Sequence, residues 1–179
     1  MSNLSTESAR SCLITVGTTE FNDLIETLDS SHEELLSLLS KNFGITRLII
    51  QKGKGKHYPS NLCKKNAFDI ECVCMEYTTA EKLQQFMQEA ELVISHAGAG
   101  SILESLRLKK KLLVVINETL MDNHQIDICK PLSEKRFLHY CYCKNLLETL
   151  QHANFKNLKH YPSPDHKALP NLLNYEMGL

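Results

Sequence analysis

The 179-residue sequence lacks a membrane-length apolar run and has no excess charge of either sign. Its longest strongly apolar runs, residues 48–50 and 112–116, have strand length, whereas a membrane-spanning helix needs about 20 residues. Lysine and arginine number 20 against 21 acidic residues, so no basic face for nucleic acid is indicated. The polar start, MSNLSTESAR, lacks the apolar core of a secretory signal. We therefore expect a cytoplasmic protein, with any membrane anchor supplied by another chain.

The sequence also lacks the C-x-x-C spacing that structural zinc sites use. Its seven cysteines are an odd number, which favours free thiols over disulfides in a chain without an export signal. Cys72 and Cys74, and likewise Cys141 and Cys143, stand two residues apart in strand-like runs. Side chains at that spacing share one face of a strand, and we expect them to pack in the core. No metal ion is predicted.

Continuous apolar segments of strand length alternate with segments of helical periodicity. Strands are predicted at residues 12–16, 45–50, 70–76, 91–95, 111–117 and 137–142. Helices are predicted at residues 21–40, 79–90, 98–109, 123–131 and 144–152. This alternation is typical of an α/β fold with a Rossmann-like parallel sheet, covered by helices on both faces. Such sheets bind ligands at the carboxyl ends of their strands.

Three regions follow from this pattern: a polar extension (1–10), a Rossmann-like domain (11–152), and a connection with a C-terminal helix (153–179). Leu169, Leu172 and Leu173 form a short apolar stripe on that last helix. The stripe fits a docking element for a partner chain. It also fits a terminal helix that packs on its own domain, and both interpretations stay open.

The strongest chemical signal is SHAGAGSILE, residues 95–104, where a predicted strand passes into a helix. Its small residues let a ligand approach the backbone closely, and the helix start directs free N–H groups at it. His96 and Ser101 add donors for a diphosphate, and Glu104 offers acceptors for a ribose diol. Taken alone, the segment is equally compatible with a tight turn, a hydrogen-bonded histidine and a solvated glutamate.

A second polar cluster, MDNHQ at residues 121–125, lies one strand–helix unit later and opens on the same crevice. Asp and Asn are ordinary helix caps, but two such clusters at adjacent strand ends favour a binding site. The loop QKGKGK carries Lys52, Lys54 and Lys56, which could meet phosphates. An exposed basic loop is the favoured interpretation there.

SHAGAGSILE followed by DNHQ resembles the donor-binding half of GT-B glycosyltransferases of the MurG type. His96, Gly98, Ser101 and Glu104 also match the H-x-G-x-x-S-x-x-E core of plant UDP-sugar transferases. The sequence is most similar to the small catalytic subunits of the eukaryotic N-acetylglucosaminyltransferase that makes dolichyl-diphosphate chitobiose. VISHAGAGSILESLRL, LMDNHQ, VGTT and RLIIQ-x-G follow that family's patterns.

The resemblance implies a role for each matching residue. Gly17, Thr18 and Thr19 would line the diphosphate, and the backbone of residues 77–83 would face the uracil. Glu104 would take the ribose hydroxyls. The phosphates would be held by His96, Gly98, Gly100 and Ser101. The sugar would be reached by Asn123, His124 and Gln125.

The resemblance further implies inverting, metal-independent transfer from UDP-GlcNAc without a cofactor, and the chain has no D-x-D metal motif. The general base of two-domain relatives lies in the acceptor-side domain, so the catalytic residues are expected on a membrane-anchored, acceptor-binding partner. That partner would hold the dolichol-linked acceptor at the cytosolic face of the endoplasmic reticulum. A non-catalytic nucleotide-sugar-binding or scaffold subunit is the alternative. A dehydrogenase is disfavoured, because the first turn reads GTTEFN instead of G-x-G-x-x-G.

Overall fold

Six parallel strands form one sheet in the order β3-β2-β1-β4-β5-β6. The computed structural model describes residues 9–119 and 124–162. The strands are β1 (Ser11–Thr15), β2 (Arg47–Gln51), β3 (Glu71–Met75), β4 (Ala90–His96), β5 (Lys111–Ile116) and β6 (His139–Tyr142). The helices are α1 (Asn22–Ser30), α2 (His32–Phe43), α3 (Ala80–Glu89), α4 (Ala99–Arg107), α5 (His124–Glu134) and α6 (Leu146–His152). The predicted α/β fold with a Rossmann-like parallel sheet is confirmed.

Helices cover both faces of the sheet, as the continuous apolar strands require. In β1, Ile14 belongs to a core cluster with Leu24 and Leu35 of α1 and α2. The neighbouring Leu13 points to the other face, into a second cluster that includes Ile102 of α4. Because the strand buries both sets of side chains, the sheet lies in the middle of a three-layer domain.

The predicted helix at residues 21–40 is two helices in the structure, α1 and α2, separated at Ser31. The break allows the last turn of α1 to anchor a distant loop. The buried Asp29 carboxylate accepts hydrogen bonds from the backbone N–H groups of Asn61 (2.7 Å) and Leu62 (3.0 Å). A single periodic pattern does not show this break, because both helices bury apolar residues against the same sheet face. The other predicted elements differ by a few residues at their ends.

The cysteines pack in the core as predicted. Cys72, Cys74, Cys141 and Cys143 all contact or belong to the same cluster, and every cysteine is a free thiol. Burial raises the pKa of the Cys74 and Cys141 thiols to about 11. Within residues 9–119 and 124–162, no three His, Cys, Asp or Glu side chains form a group that could hold a metal ion. The helices of the described ranges are also too short or too polar to cross a membrane.

Parallel pairing brings every strand's carboxyl end to one edge of the sheet. Thr15 of β1 lies beside Gln51 of β2 on one side and Ser95 of β4 on the other. The strand order reverses between β1 and β4, where adjacent connections diverge to opposite faces and leave a crevice. The loops after β1, β2 and β4 therefore meet at this point.

Candidate functional site

The imidazole of His96 lies between two glycines at the crevice. A Cβ atom added to Gly17 would stand 2.8 Å from His96 Cε1, and one added to Gly98 would stand 2.3 Å from Nε2. Gly17 also has a φ of +64°, which other residues rarely adopt. The two glycines thus bring the loops after β1 and β4 into contact through one side chain. The structure thus brings together three of the predicted site residues, His96, Gly17 and Gly98.

Burial lowers the pKa of His96 from its usual 6.5, against the opposing effect of the Thr15 carbonyl. Nδ1 lies 3.4 Å from that carbonyl oxygen, which favours a proton on Nδ1. The free protein therefore holds a neutral imidazole near neutral pH. To donate a hydrogen bond from Nε2, the ring must gain a second proton or move its proton between the nitrogens.

The first turn of α4 is open to the crevice. Gly98, at the N-cap, has no side chain that could cap the helix, and its carbonyl accepts the first helical bond, from Ile102 (3.0 Å). The N–H groups of Ala99, Gly100 and Ser101 precede that bond and point beyond the helix end. A Cβ atom added to Gly100 would meet no protein atom within 4 Å. The positive end of the helix dipole thus faces a space that an anion could enter.

A groove of about 380 Å³ continues from this turn along α3 and α4. The groove is lined by Ala80, Glu81, Leu83, Gln84, Met87, Gly100, Ser101 and Glu104. Gln84 Nε2 donates to Glu104 Oε1 at 2.7 Å, so that carboxylate is oriented across the groove. Leu83 and Met87 supply apolar surface beside this polar pair. Part of the 77–83 segment that the resemblance places near the base therefore lines the groove, while Tyr77 is 48% exposed.

The loop after β1 is held by Gln51, whose role sequence reasoning missed. The Gln51 side chain is buried, and its amide bonds both the N–H (3.0 Å) and the carbonyl (2.6 Å) of Gly17. Thr19 Oγ1 closes the turn by donating to the Val16 carbonyl at 2.7 Å. Thr18 lies exposed at the tip. The sequence feature that could have indicated this role is the position of Gln51, a polar residue directly after the apolar run of residues 48–50.

The second predicted cluster is only partly described. Asn123, with Met121 and Asp122, lies outside the described residues, as does the side chain of His124, the first residue of α5. Gln125 Oε1 accepts a hydrogen bond from the Asn117 backbone N–H (3.0 Å) at the end of β5. Gln125 therefore anchors the start of α5 to the carboxyl edge of the sheet.

The basic loop differs from its predicted exposed state at one position. Lys52 is 6% exposed, and its Nζ donates to the Gly55 carbonyl at 2.5 Å and pairs with Glu76 at 3.3 Å. The prediction of an exposed loop is wrong for Lys52, because this side chain folds back to close its own turn. Lys54 and Lys56 are exposed. The apolar stripe of Leu169, Leu172 and Leu173 lies outside the described residues.

In open α/β sheets, the crevice at the reversal of strand order is where ligands bind, and this Rossmann-like domain has an open helix N-terminus at that point. The chain belongs to the glycosyltransferase family 28 C-terminal domain family, whose profile matches residues 11–173. The sequence is homologous to proteins named UDP-N-acetylglucosamine transferase subunit ALG13. The family resemblance read from the sequence is therefore confirmed.

Two such relatives differ greatly in length. The human protein is 42% identical over 134 residues, which are 74% of this chain and 11% of the human protein. The Kluyveromyces lactis protein is 34% identical over 192 residues, with 90% of this chain and 94% of the relative covered. The chain thus spans about a tenth of the human relative and nearly all of the Kluyveromyces lactis one.

Solved structures agree with the fold. The NMR solution structure of ALG13 superimposes with a TM-score of 0.63 at 28% identity, covering 93% of this chain and 96% of that one. The crystal structure of Acinetobacter baumannii MurG gives a TM-score of 0.61 at 19% identity, covering 85% of this chain and 43% of MurG. The domain therefore corresponds to one half of a GT-B glycosyltransferase in fold.

Proposed function

We propose that the chain binds UDP-GlcNAc as the donor-binding subunit of an inverting glycosyltransferase. Its acceptor would be dolichyl-diphosphate-GlcNAc, held by a membrane-anchored partner at the cytosolic face of the endoplasmic reticulum. The observation that carries the proposal is the continuous path from the open first turn of α4 to the Gln84–Glu104 pair. The choice of UDP-GlcNAc as the donor, and of a subunit rather than a complete enzyme, follows the names of the similar proteins.

The groove along α3 and α4 would bind the nucleoside part of the donor. Its Glu104 carboxylate has a second oxygen for a vicinal diol, and charged hydrogen bonds of this kind are stronger than neutral ones. Leu83 and Met87 offer apolar contact to a flat base. The groove joins the open turn at Gly100 and Ser101, so a diphosphate attached to the ribose would reach the helix N-terminus.

The open first turn of α4 would stabilise the leaving group, which is the diphosphate of UDP. During transfer, the acceptor hydroxyl oxygen bonds to the anomeric carbon while the bond from that carbon to the diphosphate oxygen breaks. Charge then develops on the diphosphate, where the N–H groups of α4 and the exposed loop of residues 17–19 would stabilise it. No cation is needed in this scheme. The acceptor proton goes to a general base on the partner.

Direct binding is the first test. Ligand-observed NMR on the purified chain should show UDP-GlcNAc binding that UDP displaces and GDP-mannose does not. Tighter binding of GDP-mannose would contradict the proposed donor. Equal binding of UDP-glucose would leave the nucleotide assignment intact and overturn the sugar assignment.

Transfer with and without the partner is the second test. The chain alone should be inactive, and activity should need a membrane fraction that contains the acceptor-binding subunit. Leu172→Asp should abolish co-purification with that subunit if the C-terminal stripe docks on it, whereas the exposed Lys64→Asp should not. Full activity of the isolated chain would refute the half-enzyme proposal. Donor binding without transfer in any combination would favour the non-catalytic alternative.

A further inference from the structure

The buried amide of Gln51 connects three loops at the carboxyl edge of the sheet. Its Oε1 accepts from Thr15 Oγ1 (2.6 Å) and from the Gly17 N–H (3.0 Å). Its Nε2 donates to the carbonyls of Gly17 (2.6 Å) and Glu76 (2.8 Å). These four bonds use both acceptor positions and both donors of a side-chain amide. Gln51 therefore links the ends of β1, β2 and β3 through one fully satisfied group.

The chemistry of the partners fixes the orientation of this amide. A backbone N–H only donates and a carbonyl only accepts, so the amide oxygen must face the N–H of Gly17 and the nitrogen must face the two carbonyls. A carboxylate at position 51 would lose both donors, and an aliphatic side chain would lose all four bonds. Asparagine is shorter by one methylene and would not span the same partners.

Gln51 hydrogen-bonds the peptide groups on both sides of Gly17, through the N–H and the carbonyl of that residue. The φ of Gly17, +64°, sets the turn. The exposed Thr18 follows directly, and Gly17 packs on the His96 ring, which also contacts Gly98. Displacement of Gly17 would therefore move both the loop tip and the imidazole. The Gln84–Glu104 groove lies on α3 and α4 and shares none of these bonds.

We infer that Gln51 is a positioning residue that sets the loop of residues 17–19 and the His96 ring for the diphosphate of the donor. This inference rests on the proposed function, since it assigns the diphosphate to this loop. Gln51 does not touch the ligand. Its loss should weaken the binding of phosphate-bearing ligands selectively and leave nucleoside binding unchanged.

The test compares UDP with uridine by calorimetry or by NMR titration of the full chain. In wild type, UDP should bind more tightly than uridine. Gln51→Glu and Gln51→Leu should each weaken UDP binding by about tenfold or more, because a loop that Gln51 no longer holds must be ordered when the diphosphate binds. Uridine affinity should stay within about twofold of wild type, because the Gln84–Glu104 groove makes no bond to Gln51. Thr15→Val is a milder variant, which removes one bond to Gln51 and the weaker contact from the Gly17 N–H to Thr15 Oγ1 (3.2 Å), and it should weaken UDP binding by a smaller factor.

Asn66 provides a matched control. Its amide also holds a turn, with bonds to Phe68 N–H (3.1 Å), Ile70 N–H (3.2 Å) and the Ile70 carbonyl (2.8 Å), but at the amino end of β3. Asn66→Leu should lower the melting temperature and leave both UDP and uridine affinities unchanged. If Gln51 variants lose UDP and uridine affinity in parallel, or lose neither, the inference is wrong.

Two outcomes separate this inference from the proposed function. If wild type binds UDP no better than uridine, the diphosphate site itself is refuted. If wild type prefers UDP and the variants keep that preference, only the role of Gln51 is refuted. Should both Gln51 variants fail to fold, Thr15→Val decides, and an unchanged ratio of UDP to uridine affinity in that variant overturns the inference.

Discussion

Gln84 Nε2 donates a hydrogen bond of 2.7 Å to Glu104 Oε1, from α3 to the facing side of α4. The two residues lie 20 positions apart and belong to different strand–helix units. Their bond occupies one oxygen of the carboxylate and turns the carboxylate across the groove. Gln84 thus sets the orientation of the carboxylate that we propose contacts the ribose.

Glu104→Ala should weaken UDP binding by about 1–3 kcal/mol, the cost of losing charged hydrogen bonds to the ribose. The preference for UDP over 2′-deoxy-UDP should fall at the same time. Calorimetric titration with both nucleotides measures each effect. The pair Gln85 and Glu89 on α3, which bond at 2.9 Å outside the groove, supplies the control Glu89→Ala. Unchanged UDP affinity in Glu104→Ala would show that this residue is an ordinary surface glutamate.

Gly100→Ala should separate stability from binding. In the middle of a helix, alanine is favoured over glycine by about 0.5–1 kcal/mol, and at Gly100, in the first turn, no neighbouring side chain or loop obstructs a methyl group. The free energy of unfolding should therefore stay equal or rise, while UDP affinity falls because the methyl group enters the proposed phosphate space. Denaturant unfolding and UDP titration are the measurements. Equal UDP affinity in this variant would place the phosphates elsewhere.

Gly98→Ala should destabilise the fold by about 1–3 kcal/mol, the usual cost of overpacking. The obstructing group is the His96 ring, with three ring atoms within 3.2 Å of the added Cβ. The double variant His96→Ala with Gly98→Ala should recover most of the stability lost in Gly98→Ala. Thermal unfolding of the four proteins in this cycle checks the coupling. Additive losses would mean that the close approach of ring and backbone is not what requires glycine.

The depressed pKa of His96 predicts a pH-dependent stability. The unfolded chain binds a proton near its usual pKa of 6.5, whereas the folded chain binds it at lower pH because the ring is buried. This histidine therefore costs no stability well above pH 6.5, and the folded state loses stability as the pH falls below that value. Between about pH 8 and pH 5.5, wild type should lose more stability than His96→Gln. A parallel loss in both proteins would assign the effect to other histidines.

The alternation of strands and helices and the glycine-rich turn could be predicted from the sequence because both depend on local patterns. Continuous apolar runs identify buried parallel strands, and SHAGAGSILE identifies a strand-to-helix turn with an exposed backbone. Parallel strands place all their carboxyl ends at one edge, so the grouping of Gly17 with His96 followed as well. The break between α1 and α2 did not, because both helices bury apolar residues in the same cluster and continue one periodic pattern.

The sequence by itself determined the parallel sheet, the alternation of its elements and the positions of Gly17 and His96 at strand ends. The tertiary structure decided which polar groups hold that crevice in shape. Gln51 bonds Gly17, and Lys52 turns inward to Gly55 and Glu76, although neighbouring Lys54 stays exposed. The bond from Gln51 to Gly17 and the pairing of Lys52 with Glu76 join loops after different strands, so these partners are fixed only once the sheet has assembled. No local periodicity encodes them, because a buried amide or ammonium takes whichever backbone group the neighbouring strand brings within reach.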